Sequence, residues 1–456
     1  MAIWWQPVPE RLPYSKFFSW PGRYGEAPPW PAVEWNMWTL WRPSWTAVLG
    51  VHGTFLLVVH MFGRSRQPIG PCLTGPQRRR GTYMLASLTF GIVAHGALGL
   101  ALLIASMALL CVFLLCLPSG AIRGAAWLHA ILSMQAVFVY LHSDSADQRS
   151  KLEAWFPAVA GLPPLLGISG VVPWSTAYRY SALRFISFAF DVAEGGQAWR
   201  FSDFFLYNLY PPLYLTGPII GYSDFQAQFD APRRACSRTI AAYLVHLLGA
   251  SILVELSLHF WYFPGWLGPA TSTEDVESMG PFLLFGAIFQ VLHFEWFTLL
   301  IVWRTARAVA LLDDIETVEN MPRFISSVYC FRDVWRSWHA SMNIWIIRYI
   351  YKPLGGRRRR CLSVLLSFLF IAFWHDIRGF GDAPNWYWWA FLNSAGVASE
   401  SLLLKLLGPI AGRVVIRFLV IGANIPALLA NNGFTAMRLV LVAPGLMCVL
   451  GVAFGL

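Results

Sequence analysis

Long apolar runs set the main constraint on this chain. A helix needs about 20 mostly apolar residues to cross a bilayer, and runs of that kind recur from end to end. They lie at 45–62, 83–117, 126–141, 239–263, 281–303, 361–374, 386–407, 414–430 and 439–456. The second is long enough for one tilted helix or two short ones. The stretches 158–174 and 207–222 are apolar but rich in Gly and Pro, and they read as broken or re-entrant pieces. Backbone of that sort is tolerated at membrane depth only where protein or a wet cavity covers it. The expectation is an all-α polytopic membrane helical bundle of roughly ten spans.

Composition fits this reading. Of 456 residues, 57% are hydrophobic and 13% charged, against about 25% charged in a soluble domain. The net charge of +10 gathers in short clusters between apolar runs: Arg78 to Arg80, Arg233-Arg234, and Arg357 to Arg360. Such clusters are topology signals of cytoplasmic loops, so nucleic acid is excluded as a partner and the bilayer takes its place. The seven cysteines form no CxxC pair and read as small buried hydrophobes rather than zinc ligands or a disulfide framework. Residues 1–44 lack an apolar signal core and are rich in Pro and Trp (Trp4, Trp5, Trp20, Trp30, Trp35, Trp38, Trp41). Trp prefers the headgroup level, so this segment is expected along the membrane surface, ahead of a single membrane domain over 45–456.

One region is unusually polar for a membrane domain. Asp333 to Ile350 reads as a helix with two faces. Trp335, Trp338, Met342, Trp345 and Tyr349 form an aromatic stripe at helical spacing, and Arg336, His339, Asn343 and Ile347 share the other side. A Pro-Leu-Gly-Gly stop follows at Pro353 to Gly356, then four arginines, then an apolar run that ends at Trp374-His375-Asp376. Of the ten histidines, most lie in or near apolar runs and read as packing or interfacial residues. His339 and His375 come with polar neighbourhoods. An ionisable group at membrane depth is costly to bury, and a neutral imidazole accepts a proton at neutral pH. Glu255 and Glu295 sit inside apolar runs. They read as paired buried charges, with a proton relay as the alternative. Arg357 to Arg360 could attract the phosphates of coenzyme A as well as set topology.

The segment Arg332 to Gly356 resembles the signature of the membrane-bound O-acyltransferases (MBOAT), and is most similar to the glycerol-uptake branch, to which Hedgehog acyltransferase is related. Phe373-Trp374-His375, 36 residues beyond His339, resembles the block carrying the family's histidine. Arg184 to Phe188 and Tyr210 to Pro218 resemble two further blocks. In Hedgehog-type relatives the position of His339 is an aspartate and the acceptor is a protein amine; histidine marks the glycerol-uptake branch, which resembles enzymes that re-acylate the lipid of glycosylphosphatidylinositol (GPI) anchors. Two departures stand out: Asp376 directly after His375, and four arginines in place of a mixed loop.

The resemblance implies catalytic roles for His375, as general base on an acceptor hydroxyl, and for His339, which orients a reacting group or hydrogen-bonds developing charge. It implies a substrate-binding shell of Asn343, Arg336, Trp335, Arg348 and Trp374. No metal or bound cofactor is implied; acyl-CoA is the co-substrate, and a lysolipid or GPI-anchored acceptor is the partner, in the endoplasmic reticulum membrane. The competing expectations are a proton-coupled glycerol or solute transporter, and an acyltransferase that acts on another lysophospholipid or on a protein.

Overall fold

The computed structural model describes residues 50, 52–63, 75–141, 174–195, 199–215, 217–232, 236–260, 281–328, 330–377 and 384–431. The expected surface segment 1–44, the last span at 439–456 and nearly all of the broken piece at 158–174 lie outside the described residues. Within them, all regular structure is helical.

The apolar stretch 83–117 is resolved as two helices, α1 (Gly75–His95) and α2 (Ala97–Cys116). They part at Gly96, whose φ of 74° is open to glycine and strained for other residues. Next come α3 (Ser119–Leu141), α4 (Trp174–Gly195), α5 (Phe201–Leu209), the single turn α6 (Pro211–Tyr214) and α7 (Tyr222–Asp230). Here the broken piece expected at 207–222 is explained by its surroundings. Tyr210 to Tyr214 are buried, so protein covers the interrupted backbone, and the fully buried Arg184 side chain donates to the carbonyls of Leu213 and Tyr214. Phe188 stacks on Phe204 at 4.0 Å and takes Tyr222 edge-on. This aromatic core fixes α4, α5 and α7 against each other.

The second half holds α8 (Ser237–Phe260), the long α9 (Pro281–Leu312), α10 (Phe331–Ser337), α11 (Ala340–Ile346), α12 (Arg360–His375), α13 (Pro384–Leu407) and α14 (Pro409–Asn431). α12, α13 and α14 pack in sequence, and α8 packs on α9. Among the described residues two stretches, Ala97–Cys116 and Ser237–Val254, are long and apolar enough to cross a membrane by length and composition. Other expected spans fall short of that measure for visible reasons. At 16 residues, α12 is about 24 Å long, less than a ~30 Å hydrocarbon core. Glu400 and Lys405 interrupt α13. The exterior is nevertheless apolar along α8, where Leu244, Val245, Leu248, Ile252, Leu253 and Leu256 are exposed, a surface a bilayer accommodates and water does not.

The expected continuous helix over 333–350 is broken. α10 ends at Ser337, His339 has φ 48° and ψ 52°, α11 starts at Ala340, and a π-turn at Ile347–Tyr351 follows. The break divides the aromatic stripe. Trp345 and Tyr349 turn into the core, where Trp345 Nε1 donates to Ser187 Oγ at 2.8 Å and Tyr349 OH to Asp191 Oδ1 at 2.9 Å. Trp335 instead packs between Phe368 of α12 and Trp389 of α13, at 5.4 and 5.2 Å.

A candidate active site

These elements enclose a cavity of about 1370 Å³ bounded by α9, α10, α11, α12, α13 and α14. Its wall is mostly apolar and aromatic, including Trp303, Trp335, Trp338, Met342, Phe368, Trp374, Trp386 and Trp389. His339 and His375, 36 residues apart in sequence, both line it.

His375 is the last residue of α12, so its side chain stands where the helix ends. Three contacts hold it. Its ring lies flat on Trp386 of α13, with centroids 4.0 Å apart and planes 3° apart. Trp374 meets it edge-on at 5.1 Å. Its backbone carbonyl accepts from Arg179 Nη1 of α4 at 2.6 Å, while the Arg179 carbonyl accepts from Trp374 Nε1 at 3.2 Å. This reciprocal clasp ties the start of α4 to the end of α12. The imidazole remains accessible from the cavity.

His339 occupies the break between α10 and α11. Its left-handed backbone costs a non-glycine residue about 1–3 kcal/mol, a cost that persists only where surrounding contacts enforce it. Its ring packs on Trp303 of α9 at 4.3 Å, and its Nε2 is buried with no hydrogen-bond partner among the described residues. A buried, unpaired imidazole nitrogen calls for explanation; here it borders a cavity able to hold a partner.

The remaining residues expected at the site divide clearly. Trp335, Arg336, Asn343 and Trp374 line the cavity. Arg348 does not. It reaches the other way, with Nη2 2.9 Å from Asp191 and Nη1 3.3 Å from Asp224, so it braces the π-turn after α11 against α4 and α7. The change of backbone path through the π-turn explains this placement. Ile347, expected on the histidine face, and Glu295 also line the cavity; the Glu255 side chain is outside the described set. Sequence reasoning missed Arg179, Trp303, Trp386 and Asn320. None carries a local signal, because each acts across a tertiary contact.

Charge is distributed unevenly along the cavity. Lys352, Arg357 and Arg360 gather at the start of α12, and His375 stands at its end, about 22 Å away along the helix at 1.5 Å per residue. Arg336, Lys352 and Arg357 carry no salt bridge among the described residues, whereas Arg332 is engaged by Glu400 at 2.7 Å.

The profile of the membrane-bound O-acyltransferase family matches residues 125–410, a stretch that takes in α4 to α13 and both histidines. The chain belongs to the MBOAT family. Among relatives, it is 32% identical over 248 residues to Membrane-bound O-acyltransferase GUP1 of Candida tropicalis, a match that covers 46% of this chain and 42% of that protein. It is 37% identical over 182 residues to the GUP1 protein of Saccharomyces cerevisiae, covering 40% of this chain and 32% of the relative. It is 30% identical over 210 residues to mouse Protein-cysteine N-palmitoyltransferase HHAT, covering 44% and 40%. The chain thus matches less than half the length of these MBOAT relatives, and places in the same family proteins named for O-acyl transfer and for N-palmitoylation.

Proposed function

We propose that the protein is an acyl-CoA-dependent O-acyltransferase whose acceptor is a lipid hydroxyl, with a lyso-GPI anchor lipid as the preferred acceptor. The observation that carries this reading is the placement of His339 and His375 on one largely apolar cavity, where an acyl chain and a lipid acceptor can meet away from bulk water.

The chemistry follows from that placement. His375 takes the proton of the acceptor hydroxyl, the oxygen attacks the thioester carbonyl, and the C–S bond breaks to release coenzyme A, whose thiolate is reprotonated by the imidazolium. His339, through its unpaired nitrogen, donates a hydrogen bond to the oxygen on which negative charge develops. Arg336, Lys352 and Arg357 supply cations for the donor's phosphates at the opposite end of the cavity. Trp335, Asn343 and Trp374 contact the bound substrates. The name O-acyltransferase among the relatives supports oxygen over nitrogen as the acceptor atom. Arg348, engaged with Asp191 and Asp224, serves the fold. The protein is a single multi-pass membrane domain of roughly ten spans, preceded by the surface segment 1–44 and resident in the endoplasmic reticulum.

The test uses the purified chain in detergent, labelled acyl-CoA and a panel of lysolipids that includes lysophosphatidylinositol and lyso-GPI. Labelled O-acyl lipid with release of free coenzyme A is expected. Solute uptake into liposomes without any acylated product would overturn the assignment in favour of a carrier.

A further inference from the structure

A helix that ran unbroken through α10 and α11 would hydrogen-bond the Ala340 N–H to the Arg336 carbonyl and the Ser341 N–H to the Ser337 carbonyl, four residues back. Neither bond is made. Ala340 N–H donates to the Asn320 carbonyl at 3.0 Å, and Ser341 N–H donates to Asn320 Oδ1 at 3.0 Å. The last bond of α10 runs from Trp338 N–H to the Val334 carbonyl, and the first of α11 from Asn343 N–H to the His339 carbonyl. Asn320 therefore takes both amides that would otherwise close the helix across Trp338-His339. It is fully buried, so its acceptors are not shared with bulk water. On the far side of the junction, Ser341 Oγ accepts from Ile219 N–H at 2.9 Å, which fixes the first turn of α11 from a second direction.

We propose that Asn320 is a positioning residue for His339: by holding the first two amides of α11 it keeps the helix open, locks the left-handed backbone at His339 and directs the imidazole to the cavity face beside Trp303. This rests on the role for His339 given above. The inference explains why a strained histidine persists between two short helices, since such strain survives only where neighbouring contacts over-determine it. It also predicts how an error at Asn320 is felt. A displaced catalytic group loses turnover far more than substrate affinity, and a misplacement of about 1 Å can cost on the order of 100-fold.

The test is a double-mutant cycle on the full-length protein in detergent, read as kcat and KM for acyl-CoA. Asn320→Ala is expected to lower kcat about 10- to 100-fold while KM stays within about threefold. Asn320→Asp, which keeps an oxygen at the same reach, should retain much more turnover than the alanine variant. In a His339→Ala background, Asn320→Ala should add almost nothing, because the group it positions is gone. Amide hydrogen exchange should accelerate at Ser341, whose N–H loses Oδ1 in Asn320→Ala, while Ala340 keeps the backbone carbonyl of residue 320. Where the alanine variant does not accumulate, Asn320→Ser keeps a polar group but is too short to reach Ser341 N–H, and the same pattern is expected of it. Equal fractional losses in both backgrounds, or wild-type kcat in Asn320→Ala, would overturn the positioning role. Full turnover in His339→Ala would instead overturn the functional reading of the site itself.

Discussion

His375 owes its setting to contacts that leave its ring exposed to the cavity: the Trp386 stack, the Trp374 edge and the Arg179 clasp on its carbonyl. These contacts act on the ring's faces and the backbone, so removing the imidazole leaves the clasp in place. We predict that His375→Ala accumulates as a folded membrane protein and loses about 10²–10⁴-fold in turnover, the usual range for a lost general base. Rates of acyl transfer at saturating acyl-CoA, beside the elution profile in detergent, check both halves, and near-wild-type turnover would sink the base assignment. The residue scale is also where sequence and structure agree and part. His339 and His375 were legible because each is an ionisable group in a polar neighbourhood next to apolar runs. Arg179 was not, since its effect is delivered across 196 residues to a backbone carbonyl. Asn320 was not either, because a single asparagine in a polar loop looks the same whether it is solvated or holds two amides.

At the scale of elements, the sequence pattern gave helix where there is helix, and erred where a tertiary contact overrides helical period. Asp333 to Ile350 has a consistent amphipathic spacing, yet the chain breaks at His339 because Asn320 offers the amides of α11 better partners than α10 does. The break, with the π-turn after it, rotates Arg348 out of the face it would share with Asn343 and into the buried carboxylate of Asp191. We predict that Arg348→Met destabilises the protein without altering the chemistry. Asp191 keeps Tyr349 OH and Ser223 N–H but loses its cation, and with Arg348 about a third exposed the cost should be about 1–3 kcal/mol, below that of a fully buried pair. A lower apparent melting temperature in detergent with unchanged turnover per folded molecule is the expected outcome. A fall in turnover at constant melting temperature would return Arg348 to the substrate shell.

For the whole molecule, two statements must hold together: which side the basic end of the cavity faces, and what reaches the histidine end. Lys352, Arg357 and Arg360 line the cavity where α12 begins. A dense positive cluster in a short loop is retained on the cytosolic side, where acyl-CoA is also found. We predict that a cysteine placed at the exposed Arg358 in a cysteine-free background reacts with an impermeant maleimide from the cytosolic face; labelling only from the lumenal face would reverse the proposed donor entry. In the proposed reaction the acceptor meets the other end of α12, about 22 Å further along the helix. A group that must arrive there through an apolar wall is better supplied from the bilayer than as a folded protein, and an imidazole at residue 339 places no fixed negative charge beside it. These two features favour a lysolipid hydroxyl over a protein amine, and the similarity to the GUP1 proteins is compatible with it. We predict that cells lacking this protein accumulate anchored proteins whose GPI lipid is in the lyso form. Lipid analysis should show these lyso-anchors cleared by the wild-type chain and persisting with His375→Ala or His339→Ala, because clearance requires transfer at the shared cavity and not merely the presence of the protein. Unchanged anchors together with a shift in bulk phospholipid or neutral lipid would move the acceptor to a glycerolipid, and lyso-anchors cleared equally well by the histidine variants would detach the phenotype from this cavity altogether.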